Sequence, residues 1–143
     1  MATNFKKTDF TQVKALIKQM PAKAAIAAKQ QLFMEAEEII GDAKEKYVPV
    51  DLGNLRSSGF VLPIGGPKHF GFDLGFGGPA APYALEVHEN PRAGKTGGVS
   101  PSGKKYKHWA KVGGWKYLEK PYNLKIKGMD QRVALAVKEE IGL

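Results

Sequence analysis

Residues 22–47, AKAAIAAKQQLFMEAEEIIGDAKEKY, decide the fold class of this chain. Apolar side chains recur in this stretch at steps of three and four residues, which is the spacing of an amphipathic helix. The predicted apolar face consists of Ile26, Phe33, Ala36, Ile40, Ala43 and Tyr47, and the predicted solvated face carries Lys23, Glu35, Glu38, Asp42 and Glu45. The alanines favour helix and allow a neighbouring element to approach closely.

Two further helices are predicted, one before this stretch and one at the end of the chain. The first is expected to begin at a cap formed by Thr8 or Asp9 and to break or kink at Pro21, which has no backbone N–H. The last covers residues 129–141. The apolar faces are predicted to be Phe10, Val13, Ile17 and Met20 in the first helix, and Met129, Val133, Ala136, Val137 and Ile141 in the last.

Two strands are predicted in the middle of the chain. Residues 69–76, HFGFDLGF, alternate strictly, which is the pattern of a half-buried strand. Residues 55–62 follow a turn at Asp51 and Gly53 and are also predicted to be a strand, so that the two could form an antiparallel hairpin. Residues 82–88 are expected to form a short helix or an irregular extended segment, and residues 115–121 a brief helical turn.

The expected fold class is therefore α+β. A long N-terminal amphipathic helix and a C-terminal helix would pack on a small, mostly antiparallel sheet, with a long basic loop outside. Residues 1–21 are predicted to form an N-terminal arm and helix, and residues 22–143 a single domain with the exposed loop 90–114.

The composition excludes several classes of protein. The 143 residues include no cysteine, which rules out disulfides, cysteine zinc sites and cysteine nucleophiles. No stretch approaches the roughly 20 apolar residues of a membrane span, and the N-terminal MATNFKKTDF has no apolar run typical of a signal peptide. The net charge of +8 permits an anionic partner, although solubility explains it equally well.

Residues 90–114 form the most unusual segment of the chain. They are rich in Gly, Pro, Ser and Lys, and no acidic residue lies between Glu89 and Glu119. Long polar segments of this kind are exposed, and inside a domain they tend to be functional. Tyr106, His108 and Trp109 interleave with the cations, which would suit either nucleic acid or a protein partner.

No catalytic motif of recognised spacing is present, and no catalytic, cofactor or metal site is expected. Gly94-Lys95-Thr96 contains the end of a phosphate-binding loop, but Glu89 replaces the required first glycine. His69, His88 and His108 have no metal-binding spacing. A small hydrolase or nuclease with an unseen motif stays open as a third hypothesis, and it requires a pocket that gathers a histidine with carboxylates.

The order of segments resembles the family of small tailed-bacteriophage neck, tail-completion or minor capsid proteins. The family's Pro-x-Asp-Thr-Gly-x-Leu-Arg segment is matched by residues 49–56, PVDLGNLR, with Leu52 in place of the threonine. Its Tyr-Ala-x-x-Val/Ile-Glu/His segment is matched by Tyr83, Ala84, Val87 and His88, and its Phe-Leu-x-x-Pro/Ala segment by Tyr117, Leu118 and Pro121. The resemblance covers most of residues 22–141, although the central loop is longer and more basic than the family pattern.

The resemblance implies a structural virion subunit without enzymatic activity. Such a subunit would form a homo-oligomeric ring, a hexamer or alternatively a dodecamer, in the neck around the DNA channel. Its partners would be portal or adaptor proteins, tail proteins and, in the lumen, genomic DNA; it would assemble in the host cytoplasm without a membrane. The residues expected on the inter-subunit or DNA-facing surfaces are Arg56, Arg92, Lys95, Lys104, Lys105, Lys107, Trp109, Lys111 and Trp115. The alternative function is a sequence-independent nucleic-acid-binding module that uses the basic residues 92–111.

Overall fold

Helices and a small sheet make up the fold, as the computed structural model shows for residues 4–51, 53–66, 69–95, 100–103, 110 and 113–143. The described helices are α1 (Thr11–Gln19), α2 (Pro21–Asp42), α3 (Asn54–Ser57), α4 (Ala84–Glu89), α5 (Glu119–Ile126) and α6 (Met129–Ile141). Strands β1 (Phe60–Gly65) and β2 (Phe70–Gly75) form an antiparallel pair. The predicted α+β class is confirmed.

The first two helices separate at Pro21, as predicted, but the cap of α1 was predicted wrongly. Neither Thr8 nor Asp9 caps the helix, and Phe10 precedes it in a left-handed conformation with φ 51°. The carboxylate of Asp130, on α6, accepts hydrogen bonds from the backbone N–H groups of Gln12 and Val13 at 3.0 and 3.1 Å. A distant side chain therefore satisfies the free N–H groups of the first turn.

Helix α2 is confirmed, and Ala36, Ile40 and Ala43 of its predicted apolar face are buried, but the prediction is wrong for Ile26, Phe33 and Glu35. Ile26 and Phe33 are exposed to 62% and 42%, whereas Glu35 is only 2% exposed. Alanines occupy the buried side of the first turns and allow α6 to pack closely against them. Glu35 can be buried because it accepts a hydrogen bond from Nε of Arg132 at 2.7 Å and lies near Lys125.

One core cluster joins the long helices. Its buried members are Val13 and Leu16 of α1, Ala24, Ala27, Ala28 and Ile39 of α2, Ile126 of α5, and Met129, Val133, Ala134 and Val137 of α6. Phe70 and Leu74 of β2 pack against this cluster, so the sheet lies on the helices through one face. Helix α6 has the predicted bounds, with Ala134 in the core.

The predicted strand over residues 55–62 is wrong in its first half. Gly53 has a φ of 85° and starts the short helix α3, and the hydroxyls of Ser57 and Ser58 donate to backbone carbonyls three and four residues earlier. Such local bonds compete with strand pairing. The strand β1 begins only at Phe60, and the antiparallel hairpin with β2 is confirmed in the register Phe60↔Gly75 to Gly65↔Phe70.

The protein has a second core cluster. It joins the π-helical turn Ala43–Tyr47 at the end of α2 with α3, α4 and the segment before α5. The short helical elements expected near residues 82–88 and 115–121 are present as α4 and the start of α5. None of the described helices is both long and apolar enough to cross a membrane.

Candidate functional site

Four polar side chains meet in the body of the protein and are called here the polar cluster: His88, Glu89, Lys116 and Glu119. Helix α4 ends with His88 and Glu89, and α5 begins with Glu119. These three residues are 6%, 4% and 7% exposed, and the side chain of Lys116 is 12% exposed. Ionisable groups are rarely buried to this extent unless they are paired.

Both ring nitrogens of His88 are engaged. Its Nε2 accepts the backbone N–H of Glu119 at 3.2 Å, and its Nδ1 lies 2.8 Å from Oε2 of Glu89. Because Nε2 accepts, we assign the proton of the neutral ring to Nδ1, which donates to the Glu89 carboxylate. The imidazole therefore ties the end of α4 to the start of α5.

Lys116 lies close to both carboxylates of the cluster. Its ammonium lies 2.6 Å from Oε2 of Glu89 and 3.6 Å from Oε2 of Glu119. The Lys116 ammonium lowers the pKa of Glu89 against the opposing effect of burial, and the Glu89 carboxylate raises the pKa of Lys116. Lys116 adopts a left-handed φ of 57°, and its backbone N–H donates to the carbonyl of His88 at 2.7 Å.

The N-terminal arm, residues 4–10, covers this cluster. The backbone N–H of Asn4 donates to the Glu119 carboxylate. The ring of Phe5 stacks on His88 with centroids 6.1 Å apart and meets Tyr122 edge-on at 5.3 Å. A cavity of about 200 Å³ beside Phe5 and His88 has mainly apolar walls, which include Phe76, Ala84 and Tyr117. Burial raises the pKa of Tyr117, whose hydroxyl donates to the carbonyl of Ala84.

The hydrolase hypothesis required a histidine close to carboxylates, and His88 meets that requirement. A general base must also offer a free nitrogen to the proton that it abstracts. Here Nε2 is occupied by a backbone N–H and Nδ1 by Glu89. Within the described ranges, no three His, Asp or Glu side chains are grouped to hold a metal ion. The cluster is arranged to join α4, α5 and the arm.

The predicted surface residues other than Trp115 fall into three groups. Arg92 and Lys95 are exposed on the turn after α4, where Asn90 accepts the backbone N–H of Arg92 at 3.0 Å. Arg56 is exposed on α3, and among the described residues it shares no hydrogen bond or ion pair with that turn. The predictions for Lys104, Lys105, Lys107, Trp109 and Lys111 lie outside the described residues.

Trp115 contacts Lys116 of the polar cluster and the exposed Lys120. The ammonium groups of Lys116 and Lys120 lie 5.7 and 5.6 Å from the ring centroid of Trp115, within the range of cation–π attraction. Burial and then the nearby charge of Lys95 lower the pKa of Lys120. Two of the predicted residues, Lys95 and Trp115, therefore both lie near Lys120.

Four residues of this region were missed from the sequence. Lys116 and Lys120 both follow Trp115 in WKYLEK and are four residues apart, which could have suggested a shared aromatic partner. Phe5 and Glu119 carry no such signal. They are 114 residues apart, and only the tertiary fold brings Phe5 over the polar cluster that contains Glu119.

The described parts of residues 90–114 pack against the segment that follows α2. The backbone N–H of Ser102 donates to Oδ2 of Asp51 at 2.9 Å, and that of Gly114 to the carbonyl of Tyr47 at 3.0 Å. Ala93 and Ala110 are buried in the second core cluster. The described residues of this segment are therefore anchored at Ala93, Ser102, Ala110 and Gly114.

Comparison of the chain with protein-family models, curated proteins and solved structures gives no match.

Proposed function

We propose that this chain is a structural subunit of a tailed-phage virion, forming a ring in the neck or tail-completion layer that connects head to tail around the DNA channel. The proposed location of the chain is the virion. Its proposed partners are other copies of the same chain, neighbouring portal or adaptor proteins, and tail proteins. No chemical step is assigned to it.

One observation carries the proposal: the three segments that resemble the phage family meet in one core. Val48 and Leu55 come from the first segment and its border, Ala84 and Val87 from the second, and Tyr117 from the third. Tyr83 and Leu118 pack against the same cluster. These residues lie up to 69 positions apart in the chain, yet they come from the segments that match the family pattern or border them, and they pack in one core. This agreement favours a shared fold over unrelated short matches.

The surface of the chain adds support for an assembly role. Phe60, Leu62, Ile64, Leu85, Leu124 and Leu135 are exposed apolar residues, and the most exposed of them, Leu85, is exposed to 70%. Phe60, Leu62 and Ile64 are concentrated on β1, and a continuous exposed apolar patch of this kind marks a contact with another protein. The occupied nitrogens of His88 favour this reading over a hydrolase.

The first test is replacement of Lys104, Lys105 and Lys107 by glutamate in a phage that encodes this chain. We expect fewer completed particles because the reversed charge opposes an acidic neighbouring ring or luminal DNA. The purified variant should unfold at the same urea concentration as the natural chain. A matched control replaces Lys14, Lys18 and Lys138, three exposed lysines of α1 and α6, and should assemble normally.

Two outcomes would contradict the proposal. One is normal particle assembly with the triple variant, and the other is the absence of the chain from purified particles by mass spectrometry. Binding of the isolated monomer to DNA, with an affinity that falls steeply as salt rises, would favour the nucleic-acid-binding alternative.

A further inference from the structure

The outer face of the β1–β2 hairpin is apolar and exposed. Phe60, Leu62 and Ile64 alternate along β1 and are 39%, 54% and 47% exposed. Side chains of one strand that alternate in this way lie on one face of the sheet. Asp73 pairs with Leu62 in the register and is exposed, which places one negative charge in the middle of this face.

Two glycines of β2 make this face flat. A Cβ atom added to Gly75 would lie 2.6 Å from the ring of Phe60, and one added to Gly71 would lie 3.7 Å from the side chain of Ile64. The side chains of β1 therefore fold over the backbone of β2. A flat apolar surface of this kind suits a shallow, preformed groove on another molecule.

A groove of about 600 Å³ lies on the other side of the hairpin. It runs between the start of α2 and the hairpin end, and its lining is Pro21, Ala22, Ala25, Ile26, Lys29, Gly66 and Phe70. Phe70 belongs to the face of β2 that packs on the helical core, and its neighbour Phe72 contacts Phe33 of α2. The groove and the outer face are therefore on opposite sides of the sheet and cannot meet within one chain.

The charges of the two surfaces are complementary. Lys29 is exposed at the groove, and Asp73 is exposed on the outer face. Among the described residues, neither of them has an ion-pair partner. A single opposite charge on each of two apolar surfaces can fix their register when they meet.

We infer that the outer face of the hairpin in one copy docks in the α2–hairpin groove of a second copy, with Asp73 facing Lys29. This inference rests on the proposed function, in which copies of the chain contact each other. The contact is heterologous, because two different surfaces meet, so it leaves one face and one groove free for further copies and can close into a ring. Docking by the face is favoured over strand addition, since Pro63 has no N–H and interrupts β1 as a pairing edge.

Charge reversal in the full-length chain tests the pairing. Asp73→Lys and Lys29→Asp should each weaken self-association, measured by sedimentation velocity, by at least about tenfold, because like charges then face each other. The double variant, and an equimolar mixture of the two single variants, should recover it. Asp9→Lys and Lys14→Asp, at exposed positions elsewhere, are the matched controls and should associate normally.

Capping variants test whether the contact is heterologous. Leu62→Glu retains an intact groove and Ile26→Glu an intact outer face, so each should be monomeric alone. Their mixture should stop at a one-to-one dimer. Because the natural chain has no cysteine, a disulfide between Leu62→Cys in one copy and Ile26→Cys in another would mark the same contact, with Glu139→Cys as the control partner for Leu62→Cys.

Several results would overturn the inference: self-association unaffected by the single charge reversals, no recovery in the mixture, or a natural chain that stays monomeric up to about millimolar concentration. Particles with a normal neck that contain the Leu62→Glu chain would remove the docking inference and leave the proposed function standing. If the docking is confirmed but the chain is absent from virions, the docking inference stands and the proposed function is wrong.

Discussion

Glu89 is a carboxylate held almost out of contact with water by Lys116 and His88. Its second oxygen, Oε1, is buried without a hydrogen-bond partner among the described residues. The carboxylate is stable there because the Lys116 ammonium and the His88 N–H favour its charged form. The same interactions make the stability of the fold depend on pH.

The direction of that dependence follows from the lowered pKa of Glu89. A group with a lower pKa in the folded state contributes stability above its ordinary value, here 4.5, and loses it as the pH falls through the folded value. We expect Glu89→Gln to reduce the free energy of urea unfolding at pH 7, and the difference from the natural chain to shrink as the pH falls below 4.5. A difference that stays constant with pH would contradict the ionic role of Glu89.

At the scale of the element, α1 depends on a residue of another helix for its first turn. The carboxylate of Asp130 accepts two backbone N–H groups of α1, and Asp130 is itself 9% exposed. An anion at a helix N-terminus also interacts favourably with the helix dipole. Asp130 therefore both caps α1 and joins it to α6.

Replacement of this residue tests the cap. Asp130→Ala should lower the free energy of urea unfolding by about 1–2 kcal/mol, the usual effect of losing an N-terminal cap. Amide hydrogen exchange should accelerate at Gln12 and Val13. Glu139→Ala, at an exposed position on the same helix, is the control, and an equal loss in both variants would contradict the capping role.

Helix α2 shows how one element serves two surfaces. Its alanines pack against α6 in the core, while Ile26 and Phe33 are exposed. The exposed side forms the wall of the groove beside the hairpin. The apolar residues of α2 therefore do not form one stripe that faces the core. Some of them face the core, and others face the groove.

At the scale of the whole molecule, the arm joins the beginning of the chain to its last third. Asn123 accepts the backbone N–H of Lys6 at 2.7 Å and donates to the carbonyl of Asn4 at 2.8 Å. Phe5 adds ring contacts with His88 and Tyr122. These contacts hold residues 4–6 against α4 and α5.

Removing the aromatic ring of Phe5 measures how much the arm contributes to the stability of the fold. Phe5→Ala should reduce the free energy of unfolding by about 1–2 kcal/mol, since a half-buried aromatic ring is lost. The arm should also become more sensitive to limited proteolysis. Lys6→Ala preserves the backbone hydrogen bond and should change neither measurement; equal effects of the two substitutions would argue against anchoring by Phe5.

Local pattern was sufficient for the helices α1, α2 and α6 and for the strand β2. The spacing over residues 22–47 predicted α2, Pro21 placed the break, and the alternation in HFGFDLGF predicted β2. These features depend on backbone preference and on the separation of apolar from polar side chains, which neighbouring residues largely determine. The α3 helix was missed because Gly53 and the serine hydroxyls outweigh the strand-like pattern there.

The tertiary structure alone decided that Glu35 of α2 is buried while Ile26 and Phe33 are exposed, what caps α1 and how the polar cluster forms. Glu35 could be buried only because Arg132, 97 positions later, reaches it. Asp130 and Phe5 likewise act on residues more than 80 positions away. The free energy of burying a charge or a ring depends on the partner that the fold supplies, and no local window of sequence contains that partner.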